Sequence, residues 1–215
     1  MPRGLSHYRP GAGLVSSYNS LGSARMAAKN CRACDLWKRS TQTVFGEGSR
    51  HARVVLVGEQ PGDKEDLEGK PFVGPAGALL DKALAQAGID RKDTYVTNTV
   101  KHFKWEPRGK RRIHKKPNAL EIAACRPWLE LEIELIKPDV VVCLGATAAQ
   151  ALLGRGFRVT RQRGQLLPWA DGMQLLATVH PSSILRAADE AARHREFKLF
   201  VQDLRVVTGV LLASS

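Results

Sequence analysis

Two hydrophobic rhythms run along the chain. Val54-Val55-Leu56-Val57 is a continuous, β-branched apolar run of strand length that stops at Gly58. Asp139 to Leu144 repeats the pattern and closes on Gly145. Tyr95-Val96-Thr97 gives a shorter strand that delivers Asn98, and Met173 to Val179 gives one that delivers His180, with Pro181 opening the next turn. Between these runs the apolar positions return at helical spacing. Leu79, Leu80, Ala83, Leu84 and Ala87 predict a helix over 76–87 that ends at Gly88, a residue suited to the left-handed C′ position. Asn118 and Glu121 pair as an N-cap and its reciprocal partner, opening an amphipathic helix that runs to about Ile136 and stops before Pro138. A short helix follows from Ala146 to Leu153. A last one, from Glu190 to about Val207, carries Phe197, Phe200, Val201 and Leu204 on one side.

Strands that alternate with helices predict a mainly parallel sheet with helices on both faces. Glu59, Asn98, Gly145 and His180 then each follow the carboxyl end of a strand, on the edge where α/β sheets bind ligands. The Gly- and Pro-punctuated segment after Val57 reads as a loop that brings Glu59, Gln60, Asp63 and Asp66 to the same edge. It has no Walker-type Gly-Lys-Ser/Thr, so it is not a P-loop. Singly, Asn98 reads as a turn former, His180 as a helix cap, Phe72 as core and the acids as solvated surface. Their convergence on one edge argues for a site.

Charge narrows the choice of ligand. The 215 residues, 43% apolar and 25% charged, suit one soluble globular domain, with or without a small appendage. The formal charge is +12 and the pI about 9.9. From Lys101 to Lys116 eight of sixteen residues are Lys or Arg, with Glu106 the single acid, so the excess is a local patch, read here as a long loop. Such a patch points to nucleic acid. Residues 1–24 mix Gly, Ser, Pro and Tyr without period and are expected to form a flexible tail. The chain has no membrane-length apolar run and no secretory core at its start, so a cytoplasmic location is expected, where cysteines serve as metal ligands or core rather than disulfides. Cys31 and Cys34 form a C-x-x-C pair. Its spacing suits a metal or a thioredoxin-like redox pair, and the absence of a preceding strand favours metal.

GEQPGDKEDLEGKPFVGPAG (58–77), Val96-Thr97-Asn98 and His180-Pro181-Ser182-Ser183 resemble the motifs of the uracil-DNA glycosylase superfamily, nearest its iron–sulfur family 4. Lys110-Arg111-Arg112-Ile113-His114 resembles the loop of UdgX proteins, which become covalently attached to uracil-containing DNA. The resemblance covers roughly 25–207. It implies a three-layer α/β/α fold with a central mainly parallel sheet, formed by a single domain over 25–215 that includes the metal-binding elements.

The resemblance also assigns roles. Gln60, Phe72 and Asn98 would bind uracil, Phe72 by stacking and Asn98 by accepting from N3–H and donating to O4. His180 would donate to the departing uracil anion. Glu59, with Asp63, would stabilise the cationic sugar or orient its nucleophile, and His114 would be that nucleophile, giving a single-turnover covalent product. Arg112 would hold the loop closed, while Lys110, Arg111, Lys115 and Lys116, with Ser182 and Ser183, would meet the DNA. A [4Fe–4S] cluster would be held by Cys31, Cys34, Cys125 and His102, with Cys143 the rival to His102; spacing alone equally allows a Cys₃His zinc site. The expected partner is uracil-containing DNA, single- or double-stranded, bound by a monomer away from membranes. Two other readings stand beside this one: a multiple-turnover family 4 glycosylase that activates water, and a non-catalytic, zinc-stabilised nucleic-acid-binding module.

Overall fold

The computed structural model describes residues 18–213. Its strands are β1 (Glu47–Gly48), β2 (Val54–Gly58), β3 (Thr94–Asn98), β4 (Trp105–Arg108), β5 (Arg111–His114), β6 (Val140–Leu144), β7 (Leu166–Pro168) and β8 (Gln174–Thr178). Its α-helices are α1 (Leu21–Ala28), α2 (Asp63–Glu68), α3 (Pro75–Ala87), α4 (Ala119–Ile136), α5 (Ala146–Leu153), α6 (Val159–Gln162), α7 (Pro181–Leu185) and α8 (Glu190–Ala213). Six strands form one sheet in the order β1-β3-β2-β6-β8-β7, in which the four inner strands are parallel and the two edge strands antiparallel.

The apolar runs are strands because both of their faces are covered. Val55, Val57, Val141, Cys143, Leu175 and Ala177 point to one side and pack under α4 and α5 through Leu129, Ile133, Ala148 and Leu152. Val54, Leu56, Val96, Val142 and Leu176 point to the other and meet Leu80 and Leu84 of α3 and Phe200 and Leu204 of α8. This is the expected three-layer α/β/α arrangement. Continuous hydrophobicity, rather than alternation, is what a doubly covered parallel strand requires. Asn118 and Glu121 form the expected capping box at the start of α4.

Four local features depart from the expectations. Within 101–116, residues 105–114 form the β4–β5 hairpin rather than an open loop, with Trp105 opposite His114. Residues 63–68, expected as loop, form α2. The edge strands β1 and β7 are two and three residues long, too short to leave a pattern. The tail expected over 1–24 lies outside the described residues up to residue 17, but Ser20 caps α1 from Leu21, and Ala24 and Ala28 are buried against Trp128 and Leu131 of α4. Among the described residues no helix is long and apolar enough to cross a membrane.

Candidate active site

At the carboxyl edge of β2, β3, β6 and β8 lies a cavity of about 610 Å³. Gly58 and Asn98 are register partners at the ends of β2 and β3, which sets the loop after β2 beside the Asn98 carboxamide. A side chain at Gly58 would collide with Asn98 Oδ1 and the Phe72 ring, so glycine is required there for close approach. Asn98 is 3% exposed and lines the cavity, yet its carboxamide makes no hydrogen bond among the described residues. Its donor and acceptor are both available to a ligand in the cavity.

Phe72 faces the same cavity with a left-handed backbone (φ 57°), a conformation that bulky residues rarely adopt. Its ring lies 6.0 Å from that of His180, with the planes 30° apart. The brace that holds this bend is Glu65, which the sequence reading missed: one carboxylate oxygen accepts from Gly62 N (3.0 Å) and the other from Gly74 N (2.8 Å). His180 Nδ1 accepts from Ser182 N (3.1 Å) and contacts Ser182 Oγ (2.7 Å). Burial first, then the charges of Arg186 and His114, lower its pKa to about 4, so at neutral pH the ring is uncharged and its proton sits on Nε2.

His114, at the end of β5, brings Nε2 to 3.4 Å from Glu59 Oε1. The Thr147 hydroxyl at the start of α5 donates to Glu59 Oε2 through a very short hydrogen bond and fixes the carboxylate. Burial is the main cause that lowers the His114 pKa. Arg186 acts in the same sense; Glu59 and a hydrogen bond to His114's own main-chain carbonyl oppose it. Arg186 lines the cavity and was not foreseen, because a lone arginine six residues beyond His180 carries no spacing signal.

The hairpin is fastened at both ends. Arg112 donates to Asp63 Oδ1 (2.5 Å) and to Asp66 Oδ2 (2.6 Å), and its guanidinium lies over Phe103 and Trp105. Asp66, fully buried, also accepts from Thr41 N. Gln60 closes the other end: its Nε2 donates to Lys104 O and Lys115 O, and its Oε1 accepts from Lys104 N. Two site expectations change accordingly. Gln60 lines the cavity, but its carboxamide is spent on the hairpin and is not left for uracil. Asp63 does not line the cavity and instead anchors Arg112. Lys116 and Ser182 line the cavity, whereas Lys110, Arg111, Lys115 and Ser183 are exposed beyond it, Lys115 paired with Glu106 and Ser183 donating to His180 O.

The cysteines fall in two places. Cys31, Cys34 and Cys125 share one apolar cluster beneath α1 and α4. Cys31 Sγ accepts from the Trp128 indole (3.3 Å) and Cys125 Sγ from Lys101 N (3.1 Å), contacts that suit thiolate ligands. Burial pushes the Cys125 thiol up to about 12 and raises Cys34, so metal binding would have to displace their protons. Thr43 Oγ1 donates to Ala28 O and therefore accepts from His102 Nε2–H, leaving the lone pair on Nδ1. Burial holds that imidazole neutral, with a pKa of about 4. Cys143 is excluded as rival ligand, for it sits inside the sheet in register with Val57 and Ala177. Among the described residues no three His, Cys, Asp or Glu side chains are grouped as ligands of a single ion. The donor set suits a metal cluster in its chemistry, three thiols and one neutral imidazole.

Comparison with known proteins agrees with this geometry. Residues 45–205 match the family model described as the uracil DNA glycosylase superfamily. The chain is 43% identical to the type-4 uracil-DNA glycosylase of Thermotoga maritima over 159 residues, covering 74% of this chain and 79% of the relative. It is 38% identical to the type-4 enzyme of Archaeoglobus fulgidus over 163 residues (73% and 78%), and 33% identical to the type-5 uracil-DNA glycosylase of Thermus thermophilus over 158 residues (65% and 68%).

Proposed function

The chain belongs to the uracil-DNA glycosylase superfamily, and from that premise we propose that it excises uracil from DNA and ends covalently bound to the abasic sugar through His114. The observation that carries the covalent reading is the position of His114 Nε2 in the pocket, 3.4 Å from Glu59.

The residues divide the reaction between base and sugar. A glycosylase must draw the nucleotide out of the stack and read its edge in a pocket. Asn98 accepts from uracil N3–H and donates to O4, a pattern that cytosine reverses, and Phe72 stacks on the ring. As the C1′–N1 bond breaks, its electron pair moves onto uracil N1 and O2, where the Nε2–H of neutral His180 donates. Positive charge develops on the sugar, and the Glu59 carboxylate, oriented by Thr147, stabilises it. The lone pair of His114 Nε2 forms the new bond to C1′. The imidazolium then releases its Nδ1 proton to solvent, leaving a neutral adduct. Its reversal would expel an imidazole anion, so the bond persists.

The Cys31, Cys34, Cys125 and His102 donors would hold a [4Fe–4S] cluster. The resemblance of the motifs to the iron–sulfur family 4 supports a cluster over a lone zinc ion. Held by these residues, a cluster would tie the C-x-x-C segment to α4 and to the segment following β3, a structural role outside the bond exchange. Cys125→Ser should abolish the brown colour and iron content of anaerobically purified protein; colourless protein with stoichiometric zinc would overturn this assignment.

Stoichiometry tests the function. Uracil released from excess single-stranded uracil-DNA should plateau at one per protein molecule. His114→Ser, which leaves room for water, should lose the adduct and release uracil repeatedly. Continued release beyond one equivalent by the wild type would support the water-using alternative instead.

A further inference from the structure

Beside the uracil pocket lies a larger cavity, of about 1260 Å³, that the chemistry above does not use. The two share Lys116 and Thr147, so the groove opens where Thr147 orients Glu59. From there it follows α5, eight residues or about 12 Å long, to the turn at 154–158 and to Trp169. That length matches roughly three to four stacked nucleotides at about 3.4 Å per step of one strand.

Its charge is that of an anion site. Lys116 stands at the mouth, Arg126 on the α4 wall, and Arg155 and Arg158 at the far end, against one carboxylate, Asp171. Arg126 is partly spent on Glu130 (2.6 Å). Arg158 instead donates to the main-chain carbonyls of Arg155 (2.7 Å) and Phe157 (3.3 Å), which aim its guanidinium without neutralising it. Neither Arg155, Arg158 nor Lys116 has an ion-pair partner among the described residues. Cations spaced along a groove so that they track a backbone are a feature by which proteins hold single-stranded nucleic acid.

We propose that this groove is a second nucleic-acid subsite, which holds the single strand on one side of the extruded uridine, with phosphates on Lys116, Arg155 and Arg158. The inference rests on the glycosylase reading, and its test keeps the two apart. Single-stranded oligonucleotides carrying one uracil are extended stepwise, on the 5′ or the 3′ side alone, and the second-order rate of uracil release by the full chain is measured. The wild type should gain roughly tenfold over the first three to four added nucleotides, on one side only, and then plateau. Arg155→Glu/Arg158→Glu, two exposed changes outside the core, should bring the long substrate down to the rate of the short one, and Arg155→Lys/Arg158→Lys should retain most of the gain. Equal length dependence in wild type and charge-reversed variant would overturn the subsite while leaving the glycosylase intact. Absence of uracil release from every substrate would overturn the underlying reading.

Discussion

His114 Nε2 and Glu59 Oε1 stand 3.4 Å apart, although 55 residues separate them in the chain. Glu59 leaves the end of β2, His114 ends β5, and Gln60 ties the base of the hairpin to the β2 loop, so the pairing is a product of how the hairpin docks.

Glu59→Gln keeps the shape but removes the charge that faces the developing sugar cation. The rate of uracil release should fall roughly 10²- to 10³-fold, with crosslinking reduced alongside it. Thr147→Val removes only the orienting hydrogen bond, an effect of about 1 kcal/mol or roughly fivefold. Single-turnover release rates compare the two; a Glu59→Gln enzyme as fast as wild type would remove the carboxylate from the mechanism.

The pH profile follows from the His114 shift. Its pKa lies below the ordinary 6.5, mainly through burial, and the neutral ring is the nucleophile. The crosslinking rate should therefore be flat through neutrality and fall with unit slope as pH drops through that depressed pKa. Rates measured from pH 4.5 to 8.5 check this, and an inflection above 6.5 would contradict it.

Arg112 carries the docking of the hairpin onto α2. Arg112→Ala leaves Asp66 buried without its cation, so the variant should lose about 2–3 kcal/mol of stability, become sensitive to proteolysis within 105–114, and crosslink at least tenfold more slowly. Arg112→Lys, which cannot bridge Asp63 and Asp66 with a rigid fork, should fall between. Proteolysis equal to wild type in Arg112→Ala would deny the clamp.

Behind the pocket, Lys101 and Glu132 form a buried ion pair, 1% and 0% exposed. The ammonium also donates to Thr97 Oγ1 and Asn98 O, and the carboxylate accepts from Tyr95 and Gly46 N. Lys101→Met should cost about 3–5 kcal/mol because it strands a buried carboxylate. Lys101→Met/Glu132→Leu should recover part of that loss in denaturant titrations, and a double variant weaker than the sum of the singles would contradict the pairing.

Much of this was legible in the sequence because four strands are buried on both faces. Their continuous apolar runs alone place Glu59, Asn98, Gly145 and His180 on one edge. What was hidden is held by polar contacts over long separations. The β4–β5 hairpin, Trp-Glu-Pro-Arg against Arg-Arg-Ile-His, has no apolar alternation, since salt bridges and cation–π contacts dock it in place of a buried face. Helix α2, Asp-Lys-Glu-Asp-Leu-Glu, is charged at five of its six positions for the same reason. The role of Gln60 in docking the hairpin was hidden, because its position in the motif could not reveal that both ends of its amide are bonded to Lys104 and Lys115.

The central claim, a bond from His114 to the sugar, is tested most directly by mass analysis. Protein incubated with single-stranded uracil-DNA, denatured and digested with protease and nuclease should yield one modified peptide, containing His114 and bearing an abasic deoxyribose in place of a proton. Free protein and free abasic DNA after denaturation, or an adduct on any other residue, would contradict the account.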